Sequence, residues 1–120
     1  MKVLIVDDSA AMRMMVIRTL RQAGLNDHEF VQAADGSEGL DQVRDNKPDL
    51  VLADWNMPNM TGIEMLEALR EEGNDVKIGF ITTESTSAMR NRASAAGALF
   101  LVGKPFTVES FEQALAPLLG

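Results

Sequence analysis

LVLADWNMPNMTGIEML, residues 50–66, decides the fold. Its first four residues, Leu50 to Ala53, form an unbroken apolar run that stops at Asp54, the pattern of a strand buried on both faces of a parallel sheet. Pro58 marks a loop, and Ile63, Leu66 and Leu69 then recur at helical spacing. Four more short apolar runs lie outside this stretch: Val3 to Val6, Phe30 to Ala34, Ile78 to Ile81 and Leu99 to Val102. Helical patterns separate them. Met12, Met15, Val16 and Leu20 share one expected helix face, and Val108, Phe111, Leu115 and Leu118 share another. Gly24, Gly73 and Gly97 follow helical stretches, where a left-handed residue closes the last turn. Pro48 marks a further loop, and Pro117 predicts a kinked or frayed helix near Ala116. The alternation reads as an α/β fold, (βα)5, with a parallel five-stranded sheet doubly wound by helices on both faces. Residues 1–120 are expected to form one domain.

Composition limits the function. Hydrophobic residues make up 46% and charged residues 24%, as in a globular domain with a real core. Eleven Lys and Arg against eighteen Asp and Glu give a net charge of −7, which repels nucleic-acid phosphates and anionic lipid. No nucleic acid and no membrane insertion are expected, since no apolar run approaches the length of about eighteen residues that a span needs. The absence of cysteine removes thiolate chemistry and disulfides and fits a cytoplasmic location. His28 reads as a loop residue. The eight methionines read as filling for the core or helix surfaces.

Ligands of open α/β sheets bind beyond the carboxyl ends of the strands. Those ends carry Asp7 and Asp8, Asp54, Thr82 and Thr83, and Lys104; Asp35, after strand two, is expected to cap the next helix. Taken singly, each residue has an ordinary reading as a cap, loop or strand-end side chain. In a sheet ordered 2-1-3-4-5, however, strands one and three are neighbours, and three carboxylates face one cleft. Like charges about 4 Å apart repel by roughly 4 kcal/mol per pair at an effective dielectric of about 20, so positive charge must offset them. A magnesium ion suits one or two carboxylates with open positions, and Lys104 can add a second positive charge. Such a site suits phosphoryl transfer: Asp54 attacks phosphorus to form an acyl phosphate. Magnesium is expected between Asp8, Asp54 and the phosphoryl group, with Lys104 and the Thr82 hydroxyl on its remaining oxygens. No general base is needed, because a carboxylate is ionised at neutral pH.

With VLIVDDSAAMR at the start, DWNMPNMTGIEML around Asp54, ITTES around Thr82 and GKPF around Lys104, the whole chain resembles the receiver domain of two-component response regulators, specifically the small single-domain chemotaxis type. The resemblance implies a flavodoxin-like fold and magnesium at Asp8, Asp54 and the backbone carbonyl of Asn56, with Asp7 in a more indirect role. It implies a histidine kinase or small phosphodonor as the source of the phosphoryl group. It makes Thr82 a switch hydroxyl that reshapes the face of helix four, strand five and helix five. Lys104 and Pro105 match a step that usually carries a cis peptide. Asn56 and Glu84 occupy positions that tune hydrolysis of the acyl phosphate.

Two departures stand out. Leu101 occupies the position where the family often has a rotating aromatic switch, with Phe100 beside it, and Thr83 stands where a small residue is usual, narrowing access to the phosphoryl group. Trp55, next to Asp54, is expected to report magnesium or phosphoryl-mimic binding by fluorescence. A chain of this length leaves no room for an effector domain, so output is expected through docking of a monomer on a target protein such as the flagellar motor switch, with a phosphatase as a further possible partner. A stand-alone phosphorelay shuttle or a non-chemotaxis regulator is an alternative within the family. A metal-dependent phosphatase with an aspartyl nucleophile is an alternative of another class; it usually carries an acid two residues after the nucleophile, where this chain has Asn56. A flavin carrier is disfavoured by Asp7 and Asp8 at the expected phosphate loop. An unphosphorylated pseudo-receiver is disfavoured by the complete set of acids, hydroxyl and lysine. On this reading the protein is a signalling module rather than an enzyme.

Overall fold

The structure is a computed structural model that describes residues 1–119; Gly120, the last residue of the expected domain, lies outside them. Five strands, β1 (Lys2–Val6), β2 (Glu29–Ala33), β3 (Leu50–Asp54), β4 (Lys77–Thr82) and β5 (Leu101–Gly103), alternate with α1 (Ala10–Leu20), α2 (Gly36–Asn46), α3 (Gly62–Glu71), α4 (Ser87–Ala95) and α5 (Val108–Leu119). The strands form one parallel sheet in the order β2-β1-β3-β4-β5, as the sequence predicts. Val3 to Val6, Leu50 to Ala53 and Ile78, Phe80 and Ile81 are buried, because helices cover both faces of the sheet. One core cluster joins Leu4, Val6 and Val51 to Leu40 of α2, Leu66 of α3 and Ala93 of α4. The other joins Ile5 and Leu52 to Val16, Ile17 and Leu20 of α1 and to Phe111 and Leu115 of α5.

Local chemistry fixes the helix starts. Ser9, Asp35 and Thr86 each accept a hydrogen bond from a first-turn N–H of α1, α2 and α4. Thr61 and Glu64 form a reciprocal capping box at α3. Gly24, Gly73 and Gly97 all have positive φ, at 115°, 78° and 86°, as their places after helices predict; Gly24 lies in a widened turn, Arg21–Leu25, that prolongs α1. The α4 helix is fastened to α3 at its far end. Arg70 donates to the carbonyls of Ala96 at 3.0 Å, Gly97 at 3.4 Å and Asn74 at 2.8 Å, and Arg92 pairs with both carboxylate oxygens of Glu67.

Three expectations need correction. Strand two runs from Glu29 to Ala33 rather than from Phe30 to Ala34, because Asp35 caps α2 and the preceding residue already belongs to the turn. Strand five begins at Leu101, two residues later than the apolar run; Leu99 is 48% exposed and contributes only an N–H to the Ile78 carbonyl. Met15 is 51% exposed, and Ile17 replaces it in the buried face of α1. Helix α5 carries Pro117 in its last turn and runs from Val108 to Leu119, since a proline there removes just one intrahelical donor.

Candidate phosphoryl-acceptor and metal site

The parallel register brings every strand's carboxyl end to one rim of the sheet, and the β1–β3 pairing sets Val6 opposite Ala53. Asp7 and Asp8 follow the first of these residues and Asp54 follows the second, so their carboxylates meet. One oxygen from each of Asp7, Asp8 and Asp54 lies within 4.8 Å of the others. Lys104 reaches the cluster from the loop after β5: its Nζ donates to Asp54 Oδ2 at 3.1 Å and stands 3.7 Å from Asp7 Oδ2. Both ion pairs are largely shielded from solvent, with the Lys104 side chain 14% exposed, so Coulomb attraction is stronger here than at an open surface.

The three acids differ in environment. Asp7 is buried; its N–H donates to the Ala33 carbonyl at 3.1 Å, and its Oδ1 accepts from the Ser9 N–H at 2.9 Å. Burial pushes its carboxyl above the usual value of 3.8, and the charges of Asp54 and Asp8 add to that push. The Ser9 N–H and Lys104 act in the opposite direction without cancelling it. Asp8 is exposed, and Asp54 is partly buried with Oδ1 accepting from the Asn56 N–H at 3.3 Å. Three acids against one lysine leave the cleft with excess negative charge. An all-oxygen donor set with one open, solvent-facing side fits a hard divalent cation.

The other predicted residues fall into two groups. Thr82 is fully buried, and its hydroxyl accepts from the Glu84 N–H at 3.2 Å; its carbonyl accepts from the Lys104 N–H at 2.8 Å, which ties the ends of β4 and β5 together. Asn56, Thr83 and Glu84 are exposed at the rim. Thr83 lines an apolar groove of about 350 Å³ with Met12, Met15, Lys104, Pro105 and Phe106. The Lys104–Pro105 peptide is cis. Leu101 is half-buried and packs on the cluster that contains Ala93 of α4, whereas Phe100 packs on the opposite cluster, toward α5. Phe100 therefore does not substitute for a switch aromatic at Leu101, because the two side chains pack on opposite faces of the sheet. Trp55 is 8% exposed, with its ring edge-on to Phe80 at 5.1 Å. His28 lies in the turn before β2, with Nδ1 2.6 Å from the Met1 amine and remote from the site.

Residues 3–116 match the response regulator receiver domain. The chain belongs to this family. This receiver domain is 36% identical to a probable chemotaxis protein CheY of Rhizobium etli, over 99% of its own length and 92% of the relative's. It is 37% identical to chemotaxis protein CheY-3 of Vibrio cholerae, over 96% of its own length and 88% of the relative's. The crystallised chemotaxis protein CheY4 of Vibrio cholerae superposes with a TM-score of 0.84 at 37% identity, covering 97% of the receiver and 96% of the crystallised chain. The fold and the CheY type agree with the resemblance carried by the four sequence segments.

Sequence reasoning did not find two residues that shape the site. A Cβ on Gly62 would stand 2.3 Å from the Asp54 carbonyl oxygen, so only glycine lets α3 start this close to Asp54. Its place three residues before a Met-Leu pair gave no such signal. Arg13 donates to the Asp7 carbonyl oxygen at 2.6 Å; it closes the segment VLIVDDSAAMR, but its residue type gives no sign of a bond to a backbone oxygen.

Proposed function

We propose that this receiver is a phosphorylation-controlled switch whose acceptor is Asp54. The observation that carries the reading is the Lys104 ammonium on Asp54 Oδ2, set among three carboxylates at one strand rim. A carboxylate oxygen of Asp54 attacks the phosphorus of a phosphohistidine in a histidine kinase, or of a small acyl or amidophosphate donor. The new O–P bond forms as the donor's N–P or O–P bond breaks; a nitrogen leaving group takes up a proton from solvent, whereas an acyl donor departs as its carboxylate. Asp7, Asp8, Asp54 and the backbone carbonyl of Asn56 would hold magnesium, which supplies positive charge to the phosphoryl oxygens. Lys104 exchanges its bond to Asp54 for one to a phosphoryl oxygen, and Thr82 supplies a hydroxyl once it releases the Glu84 N–H. Glu84, Thr83 and Asn56 frame the approach of water, which cleaves the O–P bond and regenerates the carboxylate.

Release of the Glu84 N–H by Thr82 would loosen the loop that leads into α4. That gives the phosphoryl group a route to the face built from α4, β5 and α5. With Leu101 in place of an aromatic, the route runs through the β4–α4 loop rather than through ring rotation. The similarity to chemotaxis CheY proteins supports a flagellar motor switch as the target, a cytoplasmic location and action as a monomer, with a dedicated phosphatase as a further partner.

Incubation with acetyl phosphate or phosphoramidate and magnesium should add one phosphoryl group to the wild type, located at Asp54 by mass spectrometry. Asp54→Ala should take up none. Labelling at another residue, or equal labelling of the variant, would refute the assignment.

A further inference from the structure

We infer that Arg13 is a positioning residue for the metal ligand Asp8, with Gln32 as its brace; this rests on the magnesium reading above. Asp8 is exposed, and no side-chain hydrogen bond holds it among the described residues. Its backbone is nonetheless fixed from both sides. The peptide unit before it is held by Arg13, whose Nη1 donates to the Asp7 carbonyl at 2.6 Å. The peptide unit after it is held by the Ser9 N–H on Asp7 Oδ1 at 2.9 Å. Arg13 is itself oriented, because its Nε donates to Gln32 Oε1 at 2.9 Å from the neighbouring strand β2. The guanidinium thus ties α1 to the carboxyl ends of β1 and β2, and it touches the acidic cluster through a backbone oxygen alone.

Two consequences of Arg13 oppose each other. As a positive charge near the cleft, it should weaken cation binding by repulsion. As a clamp on the Asp7–Asp8 peptide, it should strengthen binding, since a preoriented ligand loses less freedom on coordination; loss of a group that orients a metal ligand typically costs 10- to 100-fold in affinity, on the order of the effect expected here. The charge is delocalised over a guanidinium that already donates two short hydrogen bonds. The clamp holds the peptide unit that leads into Asp8, whose side chain has no hydrogen bond of its own among the described residues, so positioning outweighs repulsion.

Magnesium titration followed by Trp55 fluorescence, with isothermal calorimetry alongside, separates the two. Arg13→Ala should bind magnesium about tenfold more weakly. Gln32→Ala, which leaves all charges in place, should bind severalfold more weakly. The double variant should be no weaker than Arg13→Ala, because both residues act through one clamp. In the metal-free protein, the Asp8 amide should show a lower NMR order parameter in Arg13→Ala than in the wild type, with an unchanged far-UV circular dichroism spectrum. Equal or tighter magnesium binding by Arg13→Ala, beside a wild type that binds, would overturn the positioning role and leave the site reading intact. A wild type that takes up no magnesium would instead overturn the site reading, and the ligand role of Asp8 with it.

Discussion

At Gly62 and Asp7, single atoms decide how Asp54 and its neighbours are held. A methyl group on Gly62 would collide with the Asp54 carbonyl and with the Phe80 ring at 2.9 Å. Gly62→Ala should therefore cost about 1–3 kcal/mol of stability in urea unfolding and weaken magnesium binding, since Asp54 must shift to admit it. Asp7 has the opposite character: it is unfavourable to the metal-free fold. Its carboxyl titrates above 3.8 in the folded protein, so below that pH it is protonated in both states and contributes nothing. As pH rises from there through the higher folded value, the unfolded chain gives up its proton first, and stability falls. At neutral pH the metal-free fold carries this deficit. Asp7→Asn should raise the Tm at about pH 7 without magnesium and give no gain near pH 3, as scanning calorimetry at the two pH values will test.

Among the elements, the three central strands β1, β3 and β4 were legible because burial on both faces leaves a continuous apolar run with a polar residue at its end. Leu50 to Asp54 shows this most simply. The face of α1 was less legible, because apolarity alone does not say whether a flexible methionine is core or surface; Met15 is at the surface while Ile17 is buried. At β5 the run Leu99 to Val102 overstated the strand, since Leu99 is solvent-exposed before pairing begins. The site showed the same division. Side chains at strand ends could be placed from the fold rule, whereas Gly62 and Arg13, though inside the quoted segments, act on backbone carbonyls, and such contacts appear only once the chain is folded. Tertiary fit explains another small residue. A Cβ on Gly79 of β4 would lie 2.2 Å from the Phe100 ring, so this ring fills the space beside β4. Gly79→Ala should cost about 1–3 kcal/mol, and combining it with Phe100→Ala should cost less than the sum of the two single changes. Denaturation midpoints of the four proteins in this cycle provide the check.

For the molecule as a whole, the proposed metal joins strands that are distant in sequence, and binding to the native state alone adds stability. Magnesium at about a hundredfold excess over its Kd should stabilise the protein by about 2.7 kcal/mol. Chelation by EDTA should reverse the gain, and Asp8→Ala should lose most of it in thermal unfolding. Trp55 fluorescence should change with the same dependence on magnesium, because the indole neighbours Asp54 and is packed on Phe80.

The attachment of α4 has a mechanical corollary. Arg70 and the Glu67–Arg92 pair restrain the part of the rod beyond its midpoint, while the opposite tip, at Thr86, adjoins the loop leading from Thr82. A nine-residue helix is about 13 Å long. Pivoting it by about five degrees around the anchored end would swing the Thr86 tip by roughly 1 Å, so a slight disturbance at the acceptor would be magnified nearest its source and fade toward Ala96.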